Sequence, residues 1–408
     1  MSTYYVHKEP VLDRKRCLFG NEFSFRRHDS SGNGLKWPPL SVDEDVVGAV
    51  SSEGGFERLA GTSRAFLNLD MAAMKGDMRS LLPRNSILQV AEREALDKDV
   101  ILGTITLKKQ AYQIAIDYTP SGRGLLPLHR IADFIRINAS SYSPDQTLAL
   151  FEGLPAKLIA ASVEDGESFA QYRDLGFELF QGPFFMKSSG DGSPSISSSQ
   201  EVLLQLFNDL RTSQDVNVIE RTFKNNPKLA YGLLRLMNSA FFRVGPKVAS
   251  IGQAIALLGY ENLQKWVVLL LFTVDHGDAQ SHPLIEKALT RSRLMESLAQ
   301  KAGKKDFADS AFITGMLSFM NVFFNMKASE VTEKLNLVQE IQDALTERKG
   351  ALGILLALAE KADRQDYDHM DDETEALSLS AEDVLWAETR AIMDWRALAN
   401  PLNIRLSL

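Results

Sequence analysis

The sequence predicts two folds in one chain, an α/β first half and an all-α second half. Three observations carry that reading. Short β-rich runs alternate with helical ones up to Lys187. From Val202 onward, apolar residues recur at helical spacing without strand alternation. Between the halves, Ser188 to Ser199 is so rich in Gly, Ser and Pro that it lacks the side chains a packed element needs. The expected organisation is residues 1–187, a linker at 188–200, and residues 201–408.

In the first half, runs at Ala111 to Asp117, Leu126 to Ala132, Phe134 to Asn138, Thr147 to Leu154 and Lys157 to Ser162 alternate between strand and helix patterns. Such alternation needs crossover connections and a parallel sheet. A helix over Glu167 to Leu175 is expected to close at Gly176, with Phe177 to Phe185 as the last strand. In the second half, Val202 to Leu210, Leu229 to Met237, Ile251 to Leu258 and Leu263 to Phe272 read as helices. Asn226-Pro227 and Gly245-Pro246 mark breaks, because proline lacks an amide donor and biases its predecessor away from helix. Asp363 to Glu375 is an acidic stretch that reads as a metal loop or a solvated connection; without a glycine-centred ligand spacing the second reading is preferred.

Composition excludes several classes. The 408 residues are 45% hydrophobic and 24% charged, as in ordinary globular protein. A formal charge of -8 and a pI near 5.4 repel phosphate backbones, so nucleic acid is not an expected partner. The single cysteine, Cys17, cannot form an internal disulfide, which fits a reducing, cytoplasmic setting. The most apolar run, Trp266 to Val274, is too short to span a bilayer, so no membrane is expected.

Ordered motifs then suggest a family. Glu9-Pro10-Val11-Leu12-Asp13 precedes Gly20-Asn21-Glu22-Phe23-Ser24-Phe25-Arg26, followed by Ala65 to Leu69, Ile87 to Glu92, Ile114 to Asp117, Phe134 to Asn138, Ala160 to Glu164 and Phe180 to Phe185. This series resembles the EAL domains, the cyclic di-GMP phosphodiesterases, with Glu22-Phe23-Ser24 in place of the signature triplet. The resemblance implies a modified (β/α) barrel with functional groups at the strand ends. It also implies two divalent ions that acidify a water and stabilise displacement at phosphorus.

Of the residues at positions implied by the resemblance, Glu22, Asn68, Asp117 and Glu164 are ligand types, Gln181 keeps the closing strand's glutamine, and Arg26 stands where a phosphate contact belongs. Departures are as numerous. Gln89 stands for a liganding Glu, Tyr118 for the second Asp of a pair, Arg136 for a Lys, and Ala161 for a Glu. An arginine does not readily lose its proton as a lysine can. The expectation is a degenerate EAL-like barrel without phosphodiesterase activity. Its vestigial pocket of Glu22, Arg26, Asn68, Gln89, Asp117, Arg136, Glu164 and Gln181 is either self-satisfied or still able to hold a weakly bound cyclic dinucleotide or one metal.

The second half offers Asn225 to Leu229, then Leu233-Leu234-Arg235-Leu236-Met237-Asn238-Ser239-Ala240-Phe241-Phe242, then Val248 to Gly259. These strings resemble the HDOD domain, a relative of the HD-type metal phosphohydrolases that lacks their metal ligands. Ser318 and Phe319 occupy the position of the His-Asp dyad, and none of His276, His282 and His369 is followed by Asp. Phe241, Phe242, Trp266, Phe272, Phe319, Phe323 and Phe324 read as core, with a partner groove as the other possibility.

The order of the two resemblances is that of bacterial EAL-HDOD signalling proteins. They imply a non-enzymatic regulator that needs no metal or other cofactor and contacts a protein partner in a motility, biofilm or cyclic di-GMP network. A cyclic di-GMP receptor and an active phosphodiesterase are the alternatives. The sequence leaves the oligomeric state open.

Overall fold

The computed structural model describes residues 4–27, 46, 50, 59–61, 63–68, 82, 85–91, 97–118, 127–140, 151–187, 196–212, 215–238, 247–274 and 282–399, with side chains to Asp394 in the last helix. The chain divides into two compact units, Met1–Lys187 and Ser188–Leu408. The Gly/Ser/Pro seam at 188–195, most of the Asn238 to Phe242 string, Gly245-Pro246, Glu92 and His276 lie outside the described residues.

The first unit is a closed barrel of eight strands: β1 (Tyr4–Asp13), β2 (Leu18–Arg27), β3 (Arg64–Asn68), β4 (Ser86–Val90), β5 (Gln113–Tyr118), β6 (Phe134–Asn138), β7 (Lys157–Ala161) and β8 (Leu179–Gln181). From β2 to β8 neighbouring strands are parallel, as the crossovers require, whereas β1 runs antiparallel to both β2 and β8. A tight turn at Asp13 to Cys17 makes this reversal, with the Asp13 carboxylate accepting from the Lys15 and Cys17 amides at 2.8 and 2.9 Å. Inside the barrel, Val11, Phe66, Ile87, Ala115, Phe134, Ile159 and Leu179 form one buried layer, with Phe19 packed against it.

Helix α1 (Lys98–Lys109) starts where Asp97 accepts from the Asp99 and Val100 amides. Helix α2 (Gly166–Asp174) starts where Asp165 accepts from the Ser168 amide, and Gly176 follows it at φ 101°. Three expectations are corrected. Leu126 to Ala132 does not form a full helix; its described part is a 3-10 turn over Pro127–Arg130. The end of Thr147 to Leu154 that falls among the described residues is a turn. The last strand stops at Gln181, because Gly182 sits at φ 133° and Pro183 has no amide to continue the ladder; a 3-10 turn, Pro183–Met186, follows.

Only glycine fits at 182. A Cβ there would stand 2.4 Å from the Val163 carbonyl oxygen, so the ends of β7 and β8 approach as backbone on backbone.

The second unit is helical. Its helices are α3 (Ser198–Thr212), α4 (Val216–Asn225), α5 (Pro227–Met237), α6 (Ile251–Leu258), α7 (Tyr260–Thr273), α8 (Pro283–Lys301), α9 (Ala308–Leu317), α10 (Met320–Phe323), α11 (Ala328–Lys334), α12 (Gln339–Glu347), α13 (Gly350–Asp363), α14 (Asp371–Ala376) and α15 (Ala381–Ala399). The expected Asn226-Pro227 break is real: Pro227 opens α5 from its first turn. Ser250 caps α6 through the Gln253 amide, and Gly259 ends it at φ 78°. Trp266, Phe272, Phe319 and Phe324 are buried, and Phe323 packs edge-on against Phe272 at 4.4 Å, so these five serve the core. No single helix among the described residues is long and apolar enough to cross a membrane.

Candidate functional site

Strand periodicity assembles the barrel mouth. Residues two apart on a strand share a face, so the position two beyond each core residue lies one step nearer the C-terminal rim. That step leads from Phe66 to Asn68, Ile87 to Gln89, Ala115 to Asp117, Phe134 to Arg136, Ile159 to Ala161 and Leu179 to Gln181. On antiparallel β1 the equivalent step runs backward from Val11 to Glu9, which pairs with Glu22 across β1 and β2. Six of the eight expected pocket residues therefore share this ring, and Glu9 joins them unanticipated.

Arg136 sits at its centre. Its Nε donates to Asp117 Oδ1 at 2.7 Å, and its Nη1 donates to Glu22 Oε2 at 2.8 Å and to Gln181 Oε1 at 3.4 Å. Gln181 in turn donates through Nε2 to Glu9 Oε2 at 2.9 Å and to Glu22 Oε2. One guanidinium and one amide thus link three carboxylates. Burial on its own would lower the Arg136 pKa, but Glu22, Asp117 and Glu9 more than offset it, so the guanidinium is held above its ordinary value and stays charged. The cluster is still open to water, with 24% of the Arg136 side chain, 19% of Glu22 and 36% of Asp117 exposed.

The remaining expected residues are placed differently. Gln89 is buried in the ring, and Asn68 lies at its exposed edge. Arg26 is buried on the part of β2 that pairs with β1 beyond the last β3 contact, two same-face steps past Glu22. Glu164 is outside the cluster, in an exposed ion pair with Lys187 at 3.3 Å. Tyr118, where the resemblance places the second Asp, faces away from Asp117 and the mouth, because adjacent strand residues face opposite ways, and packs edge-on against Phe151 and His129, 5.0 and 5.6 Å between ring centres. Its bulk does not fill the pocket.

The second unit holds a matching cluster that was not expected. Arg291 of α8 donates from Nε to Asp363 Oδ2 at 2.9 Å and from Nη1 to Ser318 Oγ at 2.7 Å. Its guanidinium lies 3.9 Å from the centre of the Phe319 ring. Lys287, one turn earlier on α8, adds a 3.0 Å bond to Asp363 Oδ1. Ser318 and Phe319, at the expected dyad position, thus line an arginine–aspartate pair. Burial raises the Asp363 pKa, but Lys287 and Arg291 outweigh it and hold the carboxyl down at about 2. Asp363 is therefore a largely buried ionic anchor, so the reading of its stretch as a solvated connection fails at this residue, whereas Asp368, Asp371, Asp372 and Glu375 are exposed. Of the histidines expected to be locally bonded, His369 pairs with Asp366 on the surface, which raises its pKa, and His282 stacks on Phe323.

Comparison with known proteins adds the following. Residues 194–353 match the HDOD domain family. The cyclic di-GMP phosphodiesterase CdgJ of Vibrio cholerae is 28% identical over 400 residues, covering 94% of this chain and 90% of that protein. The uncharacterized protein YuxH of Bacillus subtilis is 24% identical over 376 residues, covering 89% and 91%. Among solved structures, an EAL domain protein of Listeria monocytogenes is similar over 45% of this chain and 87% of its own, at 16% identity and a TM-score of 0.34. The chain carries an HDOD domain behind an eight-stranded barrel, the domain order that the EAL-HDOD resemblance implied.

Proposed function

We propose that this protein is a non-enzymatic regulator acting through protein contacts in a cyclic di-GMP-related pathway, with its barrel mouth neutralised from within by Arg136. The observation that carries the proposal is the Arg136 clamp on Glu22 and Asp117. A pair of dications needs several anionic oxygens each. Among the described residues the mouth offers Glu9, Glu22 and Asp117, and Arg136 already compensates one of these charges, while Asn68, Gln89 and Gln181 contribute none. This donor set does not fit two divalent ions.

The similarity to CdgJ, a cyclic di-GMP phosphodiesterase by name, supports the pathway. It also favours a second reading, hydrolysis with unorthodox ligands. Incubating the full chain with cyclic di-GMP and Mg²⁺ or Mn²⁺ separates the two. No linear dinucleotide above the Glu22→Ala background is expected, and turnover above that background overturns the proposal. In the same protein, calorimetric titration to ~100 µM ligand tests the receptor alternative, for which a guanidinium suits a phosphate. Heat in that range would move the function from scaffold to receptor.

A further inference from the structure

Charge is segregated within the second unit. From Arg221 to Lys247 the sequence holds six basic residues (Arg221, Lys224, Lys228, Arg235, Arg243 and Lys247) and no Asp or Glu. From Asp366 to Glu375 it holds six acidic residues and no Lys or Arg. The two stretches belong to different helix groups, α5 packing against α4 and α6, and α14 against α13.

On α5 the spacing organises this charge. Lys228, Tyr231 and Arg235 stand at i, i+3 and i+7, on one face, while Leu229, Leu233 and Leu236 are buried. All three face residues are exposed, Tyr231 to 62%, an unusual amount for an aromatic ring. Among the described residues, Arg221, Lys228, Arg235 and Lys247 make no ion pair, and Lys224 reaches only Glu220 of its own helix at 2.9 Å. The acidic stretch mirrors this. Asp366 and Glu373 are paired with His369 and Lys361, but Asp368, Asp371, Asp372 and Glu375 are exposed and, among the described residues, make no ion pair.

We propose that the Lys228–Tyr231–Arg235 face of α5 docks a second copy of this chain through that copy's Asp368 to Glu375 segment. Charge complementarity selects the occupant: four cations on and beside α5 and four carboxylates of the acidic stretch, none of which makes an ion pair among the described residues, are carried by every copy. The chain's overall charge of -8 works against a polyanion such as nucleic acid. Tyr231 supplies an apolar anchor of the kind that concentrates binding energy at the centre of charged interfaces. The contact is heterologous, so each copy keeps one free basic and one free acidic face, and association proceeds head to tail. It is weak and salt-sensitive, because exposed pairs are screened within about 10 Å at 0.1 M salt. The inference is independent of whether the barrel is an enzyme.

Sedimentation velocity of the full chain at ~100 µM tests it, comparing about 50 mM with about 500 mM salt. Species larger than the monomer are expected at low salt, with at least a tenfold weaker association at high salt. The charge reversals Lys228→Glu with Arg235→Glu, and Asp371→Lys with Asp372→Lys, touch only exposed side chains, and circular dichroism checks that both variants stay folded. Each variant alone is expected to be monomeric, and an equimolar mixture of the two is expected to associate again. A monomeric wild type at low salt, a variant that associates like wild type, or a mixture that stays monomeric overturns the proposal. Binding of a 20-mer single-stranded DNA that is lost in Lys228→Glu/Arg235→Glu, without self-association of the wild type, overturns it in favour of a nucleic-acid surface.

Discussion

The barrel mouth and the α8–α9–α13 core solve one chemical problem in two dielectric settings. In each, an arginine ties polar groups together, Arg136 between Glu22 and Asp117 where the EAL resemblance implies metal ligands, Arg291 between Asp363 and Ser318 where the HD-type dyad is missing. They differ in access to water. Arg136 and Asp117 are 24% and 36% exposed, whereas Arg291 and Asp363 are 7% and 10%. Solvent screening makes the first pair cheap to break and available to an incoming ion. Burial ties the second to the fold, since removing one member leaves an uncompensated charge in a low-dielectric interior.

The sharpest way to break this contrast is to delete the buried carboxylate. Asp363→Ala strands Arg291 and Lys287 together and is expected to cost about 3–5 kcal/mol in denaturant unfolding. A loss below ~1 kcal/mol would place this cluster with exposed ion pairs and erase the distinction. The same group predicts a pH signature. Its carboxyl titrates at about 2 when folded against an ordinary 3.8, so its contribution is complete above the ordinary value and disappears as pH falls through the folded one. One to two pKa units correspond to roughly 2 kcal/mol. The stability gap between wild type and Asp363→Asn is therefore expected to narrow by about that amount from pH 4 to pH 2, and a constant gap would show that the carboxylate is not held down by its neighbours.

Why the two clusters were unequally legible in the sequence is a matter of distance along the chain. The mouth was readable because the EAL resemblance implied positions for Gln89, Asp117, Arg136 and Gln181, and a strand that presents every second residue to one side brings those positions together. The same rule sets Tyr118 apart from its neighbour Asp117, since its ring packs on Phe151 and His129 away from the mouth. The early end of β8 was written in Gly182-Pro183 and was outweighed by the apolar run around it. Arg291 and Asp363 are 72 residues apart and carry no motif. Only the packing of α8, α9 and α13 brings them together, and an acidic run with no visible partner reads as solvated.

The smallest expected effect is at the mouth, and it bears most directly on function. Replacing Arg136 with Ala removes its two ion pairs and the longer bond to Gln181, but Glu22 and Asp117 regain water, so about 1 kcal/mol of stability is expected to be lost. The electrostatic consequence is larger than the stability one. Without the guanidinium, Glu22 and Asp117 lose their shared cation beside Glu9, and a hard divalent cation becomes the natural counter-charge. Calorimetric titration with Mn²⁺ is therefore expected to show at least a tenfold gain in affinity for Arg136→Ala over wild type, with Arg136→Lys between the two because a lysine keeps the charge but not the two-pronged geometry. Wild-type protein that already binds Mn²⁺ as tightly as Arg136→Ala would mean that the guanidinium yields its place to metal, and the barrel would then have to be judged as a working hydrolase site.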